Sequence, residues 1–123
     1  MADTPTVGEQ LSGAFEQFKR DFPQVFQGYD AMGRAAHAAG PLDGKSRELV
    51  QLGMAIGARL EGATHSHVRK ALQAGVTAAE IRHAALLAVA TLGFPSTVMA
   101  LTWVDDVLTG RCHSAGSPAQ GER

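Results

Sequence analysis

Apolar residues recur every three or four positions along most of the chain, which is the spacing of one face of an α-helix. Pro23 fits a first helical turn, Asp43 and Thr77 fit N-caps, and Gly75 fits a helix end. No segment shows the strict alternation of a half-buried strand. The pattern therefore predicts an all-α fold of about six helices, over residues 9–20, 23–40, 43–60, 63–74, 77–92 and 95–108.

The last two of these helices are apolar nearly all round. Residues 84–104 carry no charge and are numerous enough to cross a bilayer, but Gly93-Phe94-Pro95 interrupts them and Thr and Ser residues dilute them. We therefore expect a buried helical hairpin and no membrane partner. A chain of 123 residues is too short to bury both helices inside one subunit, so we also expect a homo-oligomer.

Composition limits the function classes that remain. The net charge is −1, and no basic patch indicates nucleic acid or anionic lipid as a partner. The N-terminus lacks the pattern of a secretory signal, and the single cysteine, Cys112, allows no intrachain disulfide, so we expect a cytoplasmic protein. One domain is expected over residues 9–109, with a flexible arm at 1–8 and a disordered tail at 110–123.

Two side chains stand out as candidates for proton transfer. Glu48 lies among apolar residues near the start of the third helix, where it is either a carboxylate favoured by the helix dipole or a half-buried general acid or base. His67 carries an imidazole, which can relay protons near pH 7 or simply bond to a neighbouring carbonyl. The residues alone leave both alternatives open.

The remaining candidates have equally plain structural alternatives. His65 and His67 are two positions apart and point to nearly opposite sides of a helix, so no metal site is expected, and Glu61 with His65 is best explained as a surface pair. Arg59 could hold a carboxylate or make a weak surface salt bridge. Trp103 could line a pocket or belong to the core.

The order of motifs from Leu42 to Ala100 resembles the carboxymuconolactone decarboxylase and alkylhydroperoxidase D-like superfamily. It comprises Leu-Asp-Gly-Lys-Ser-Arg-Glu-Leu at 42–49, His67 followed by Ala71-Leu72 and Gly75, and then Gly93-Phe94-Pro95. In the redox branch, a Cys-x-x-Cys pair precedes the motif histidine and follows a glutamate by twelve residues. Those cysteine places are Leu60 and Ala63 here, and the glutamate place is Glu48.

The resemblance implies a small helical protein that forms homotrimers or homohexamers. It also implies a cofactor-free lyase or isomerase that moves protons on a small carboxylated lactone or related acid, as in the branch that serves aromatic catabolism. Glu48 and His67 would then be catalytic, and Arg59, His65 and Trp103 would bind substrate. A non-catalytic oligomeric scaffold is the alternative; a thiol peroxidase is disfavoured because the cysteine pair is absent and Cys112 has no partner thiol.

Overall fold

The structure is a computed structural model that describes the backbone of residues 7–110 and the side chains of residues 13–110. All regular structure in this part of the chain is helical, which confirms the predicted all-α fold. The helices are α1 (Val7–Asp21), α2 (Pro23–Ala38), α3 (Gly44–Gly57), α4 (Glu61–Gln73), α5 (Ala78–Leu86), α6 (Ala88–Thr91) and α7 (Phe94–Leu108).

The predicted helix caps are present, and they explain why these helix ends could be predicted from the sequence. The Asp43 carboxylate accepts a hydrogen bond from the backbone N–H of Ser46 at 2.8 Å, and this bond lowers the pKa of Asp43 below its ordinary value. Thr77 and Glu80 form a reciprocal capping box at the start of α5, with distances of 3.0 and 2.9 Å. Gly75 ends the α4 region at φ 95°, a conformation that favours glycine.

The predicted hairpin over residues 84–104 differs from expectation in one detail. The fifth predicted helix is divided at Leu87 into α5 and the four-residue α6, although Leu87 itself keeps helical angles of φ −61° and ψ −16°. Gly93, at φ 96°, then turns the chain into α7. None of the helices in the described part of the chain is both long and apolar enough to cross a membrane.

The core lies between α3, α4, α5 and α7. Helix α3 packs along α4, and α7 packs against α4, α5 and α6. No residue of α2 and none of residues 13–21 of α1 is buried, so these parts of the α1–α2 pair lie against this body without contributing to its core. The buried apolar cluster consists of Leu52, Ile56, Val68, Ala71, Val76, Ile81, Ala85, Ala100 and Val104.

Removing bulk from this core should destabilise the fold. Leu52 is fully buried, and Leu52→Ala would leave a cavity, so we expect it to lower the free energy of unfolding by about 2–5 kcal/mol. Urea denaturation followed by circular dichroism measures this loss. Gln73→Ala, at an exposed position of α4, serves as the control, and equal midpoints for the two variants would contradict the assigned core.

A single chain leaves considerable apolar surface uncovered around α5, α6 and α7, in agreement with the sequence pattern. The exposed fraction reaches 60% for Leu87 and 70% for Phe94. Further exposed apolar side chains lie on α2 and α3, including Val25, Met32 and Met54. The homo-oligomer itself stays a prediction.

Candidate functional site

A buried carboxylate and a histidine meet where α3 lies beside α4. The Nδ1 atom of His67 is 2.9 Å from the Oε1 atom of Glu48, a hydrogen-bonding distance. Glu48 is only 8% exposed, and His67 is partly covered. The predicted approach of these two side chains is confirmed, while their catalytic role stays a prediction.

Helix periodicity explains why the pair forms. Glu48 precedes the core residue Leu52 by four positions, so it lies on the face of α3 that packs inward. A carboxylate that leaves water there needs a hydrogen-bond donor, because burying an unpartnered charge is costly. His67, which faces α3 from α4, supplies that donor.

The hydrogen bond also indicates how the imidazole is used. An ionised Glu48 can only accept, so a neutral His67 that bonds to it carries its proton on Nδ1. The Nε2 atom then holds the free lone pair, and it has no hydrogen-bond partner among residues 13–110. This arrangement gives a base that is oriented by a carboxylate and whose reactive nitrogen remains available.

Two adjoining cavities border His67. The larger, of about 620 Å³, lies between α4 and the α1–α2 pair, and the smaller, of about 170 Å³, continues toward α2 and α3. Both are lined by His67, and the larger has the size of a typical small-molecule site. Four residues line both cavities: Tyr29, Asp30, His67 and Lys70.

Two of the predicted substrate-binding residues lie elsewhere. The backbone of Arg59 adopts a left-handed conformation, φ 61°, after the end of α3, and its guanidinium donates to the hydroxyl of Ser96 at 3.0 Å. Trp103 is a partly buried residue of α7. Neither side chain lines a cavity that His67 lines, so their positions do not support a role at this site.

His65 differs most from expectation. Its side chain is 0% exposed, so the interpretation of Glu61 and His65 as a surface pair is wrong. Its Nε2 atom lies 3.0 Å from the Oδ2 atom of Asp106 on α7. His65 shares a helix face with Val68 and faces the core, so its predicted contact with substrate has no support here. That shared face was the sequence signal for burial.

Three side chains that could each offer one atom to a metal ion come together at this place. The ligand atoms of Glu61, His65 and Asp106 lie within 4.8 Å of one another. The sequence did not predict this convergence. A metal ion on Nε2 would require the proton of His65 to sit on Nδ1, which is buried and has no acceptor among the described residues. Such an orphaned N–H costs about 1–3 kcal/mol. A neutral ring that donates from Nε2 to Asp106 makes the contact that the structure shows and leaves a lone pair, in place of an N–H, unpartnered at Nδ1. The contact is best explained as a structural hydrogen bond between α4 and α7.

Sequence reasoning missed the residues that α2 and the end of α4 bring to the cavities. Tyr29, Asp30 and His37 come from α2, and Lys70 lies one turn beyond His67. The spacing of three residues between His67 and Lys70 could have indicated that Lys70 lies near the site, because residues with this spacing share a helix face. No local signal indicated that α2 would lie over α4.

The sequence model of one family matches most of the structured chain. The match, to the model described as "Carboxymuconolactone decarboxylase family", covers residues 23–106, which include both Glu48 and His67. The chain belongs to the carboxymuconolactone decarboxylase family. Membership confirms the family resemblance drawn from the motif order.

The chain is similar to two further proteins, one in sequence and one in structure. An uncharacterized protein from Haemophilus influenzae is 35% identical over 58 residues, which are 47% of this chain and 51% of that protein, so the chain matches about half of the relative's length. The crystal structure of a carboxymuconolactone decarboxylase family protein from Legionella pneumophila superposes with a TM-score of 0.72 at 21% identity. The superposition covers 84% of this chain and 92% of that one and supports the shared fold.

Leu60 and Ala63 occupy the two positions at which the redox branch of the superfamily carries its cysteines. Leu60 is exposed immediately before α4, and Ala63 lines the larger cavity four residues before His67. Neither side chain can form a thiolate. Cys112, the only cysteine in the sequence, lies outside the described residues.

Proposed function

We propose that this family member is a cofactor-free lyase or isomerase that transfers protons on a small carboxylated lactone or a related acid. The observation that carries the proposal is the 2.9 Å contact between Glu48 and His67 at the edge of a cavity of about 620 Å³. A buried carboxylate that orients a histidine is a common arrangement for a general base. The catalysts would be Glu48 and His67.

In this proposal, His67 transfers the proton and Glu48 orients His67. The Nε2 atom of His67 removes a proton from a carbon next to a carbonyl, and the electron pair moves into the carbonyl to give an enolate. Glu48 holds the ring and stabilises the imidazolium that forms. The imidazolium then returns its proton to another carbon, which completes an isomerisation. In a decarboxylation, Nε2 first takes a proton from solvent, loss of CO₂ then forms the enolate, and Nε2 transfers that proton to the carbon.

We further propose that the protein works as a homo-oligomer, with a trimer or hexamer as the expected assembly. The support is the group of exposed apolar side chains around α5, α6 and α7, because clustered apolar residues on a surface are typical of an interface between proteins. A non-catalytic scaffold would use the same surface. The two functions differ in whether Glu48 and His67 act on a ligand.

A substrate panel separates these functions. Purified protein is mixed with muconolactone-type acids, including 4-carboxymuconolactone, and turnover is followed by ultraviolet absorbance. We expect at least one acid to be converted at a rate well above the rate without protein, and conversion to fall strongly in Glu48→Gln. Absence of conversion across the panel would favour the scaffold.

Thiol-dependent peroxidase activity should be negligible. Leu60 and Ala63 replace the cysteine pair, and a peroxide-reducing cysteine needs a second thiol to complete the cycle in this type of enzyme. Turnover of cumene hydroperoxide with dithiothreitol is measured for the wild type and for Cys112→Ser. We expect both rates to equal the rate without protein; a wild-type rate that Cys112→Ser abolishes would show that the prediction is wrong.

A further inference from the structure

The walls of the larger cavity differ in chemical character. On the side of α1 and α2 lie the aromatic rings of Phe15, Phe26 and Tyr29. Phe15 and Phe26 meet edge to face, with centroids 5.6 Å apart. The opposite wall is the face of α4 that carries His67 and Lys70. The first wall is therefore aromatic, and the ammonium of Lys19 lies over its rings, 5.1 Å from the Phe15 centroid and 4.9 Å from the Phe26 centroid. An aromatic wall that faces a polar one suits a small ring-bearing molecule with one negatively charged end.

The charges around the cavity are not balanced. Asp30 is paired with Arg34 at 2.9 Å, and Lys19 is paired with Glu16 at 3.3 Å. Lys70 lines the cavity and forms no salt bridge with any of residues 13–110. Arg69, the next lining cation, likewise has no such partner. Two positive charges thus remain available for an anion.

Lys70 is an exposed residue, and its position on α4 brings it to the same cavities as His67. It follows His67 by three residues, so both project from the same face of α4. Lys70 and His67 also line both cavities together. A carboxylate held by the ammonium group would therefore be bound within one helical turn of the imidazole.

We propose that Lys70, with Arg69 beside it, is the anion anchor of this site and takes the carboxylate of a small planar acid. The body of the ligand lies against the aromatic wall of α1 and α2. This assignment replaces Arg59, which is engaged with Ser96. It rests on the proposed function only for the statement that the bound acid is a substrate; binding itself does not require catalysis.

The test compares benzoate with benzamide, which has nearly the same shape and no charge, as probes of the full chain by isothermal titration calorimetry. We expect saturable binding of benzoate and binding of benzamide at least about tenfold weaker, because a charge-assisted contact is lost. Lys70→Gln should weaken benzoate binding about tenfold, and Lys70→Arg should restore most of it. Lys45→Gln removes the same charge from a residue that lines neither cavity and should leave the affinity unchanged.

The outcomes separate this proposal from the proposed function. Absence of saturable benzoate binding, equal affinities for the two probes, or equal effects of Lys70→Gln and Lys45→Gln would each overturn the anchor. If benzoate binding depends on Lys70 but the protein converts no acid in the panel, the anchor proposal is supported and the proposed enzymatic function is contradicted. Circular dichroism of each variant verifies that the helices are retained.

Discussion

Glu48→Gln is expected to lower turnover of the true substrate by about 10²–10⁴-fold, the usual contribution of general acid–base catalysis. Glutamine keeps the shape of glutamate, and its carbonyl oxygen can still accept the N–H of His67 Nδ1. It supplies no negative charge to stabilise the imidazolium. The measurement is kcat for the acid that the panel identifies, with the oligomer size monitored by light scattering.

His67→Asn extends this prediction. If the imidazole carries the proton, His67→Asn should be at least as damaging as Glu48→Gln; if it only orients Glu48, the loss should be smaller. Lys45→Gln, whose side chain lies beside Gly75 beyond the end of α4, is the control and should keep wild-type kcat. Wild-type kcat in both Glu48→Gln and His67→Asn would contradict a shared proton-transfer site.

Leu87→Asp is expected to dissociate the oligomer while leaving the single chain folded. Leu87 is 60% exposed in one chain, so an aspartate there would be solvated in the monomer. In an assembly that covers this position, the carboxylate would be buried without a partner, at a cost of several kcal/mol. Light scattering at micromolar concentration should show a multiple of the 12.9 kDa chain mass for the wild type and a smaller particle for Leu87→Asp.

The design separates loss of assembly from loss of folding. Ala79→Asp adds the same charge to an exposed position in the first turn of α5, where a carboxylate suits the helix dipole, and should keep the wild-type size. The helical circular dichroism signal of Leu87→Asp should persist. A wild-type protein that is monomeric at micromolar concentration would refute the proposed assembly.

Local chemistry explains which parts of the fold the sequence could predict. The caps at Asp43 and Thr77 act within three residues, so the beginnings of α3 and α5 were readable. The division at Leu87 was not, because no glycine or proline marks it. Glu48 and His67 were found together through motif spacing, since neither residue alone distinguished a site from an ordinary helix position.

The other site residues depend on contacts between distant parts of the chain. His65 pairs with Asp106, 41 residues away, and Arg59 bonds to Ser96, 37 residues away. Neither contact has a local sequence signal, so the sequence could not show that Arg59 and His65 are engaged away from the cavities. Lys70 reaches the cavity only because α2 lies opposite α4, a tertiary arrangement that periodicity within one helix does not specify.

The central claim is that His67, oriented by Glu48, moves protons on a carbon acid, and hydrogen–deuterium exchange tests it most directly. A muconolactone-type acid is incubated with the protein in D₂O, and the proton signal of the carbon next to the carbonyl is followed by NMR. We expect the wild type to exchange this proton at least about 10²-fold faster than Glu48→Gln. Equal exchange rates for the wild type, Glu48→Gln and a sample without protein would contradict the account.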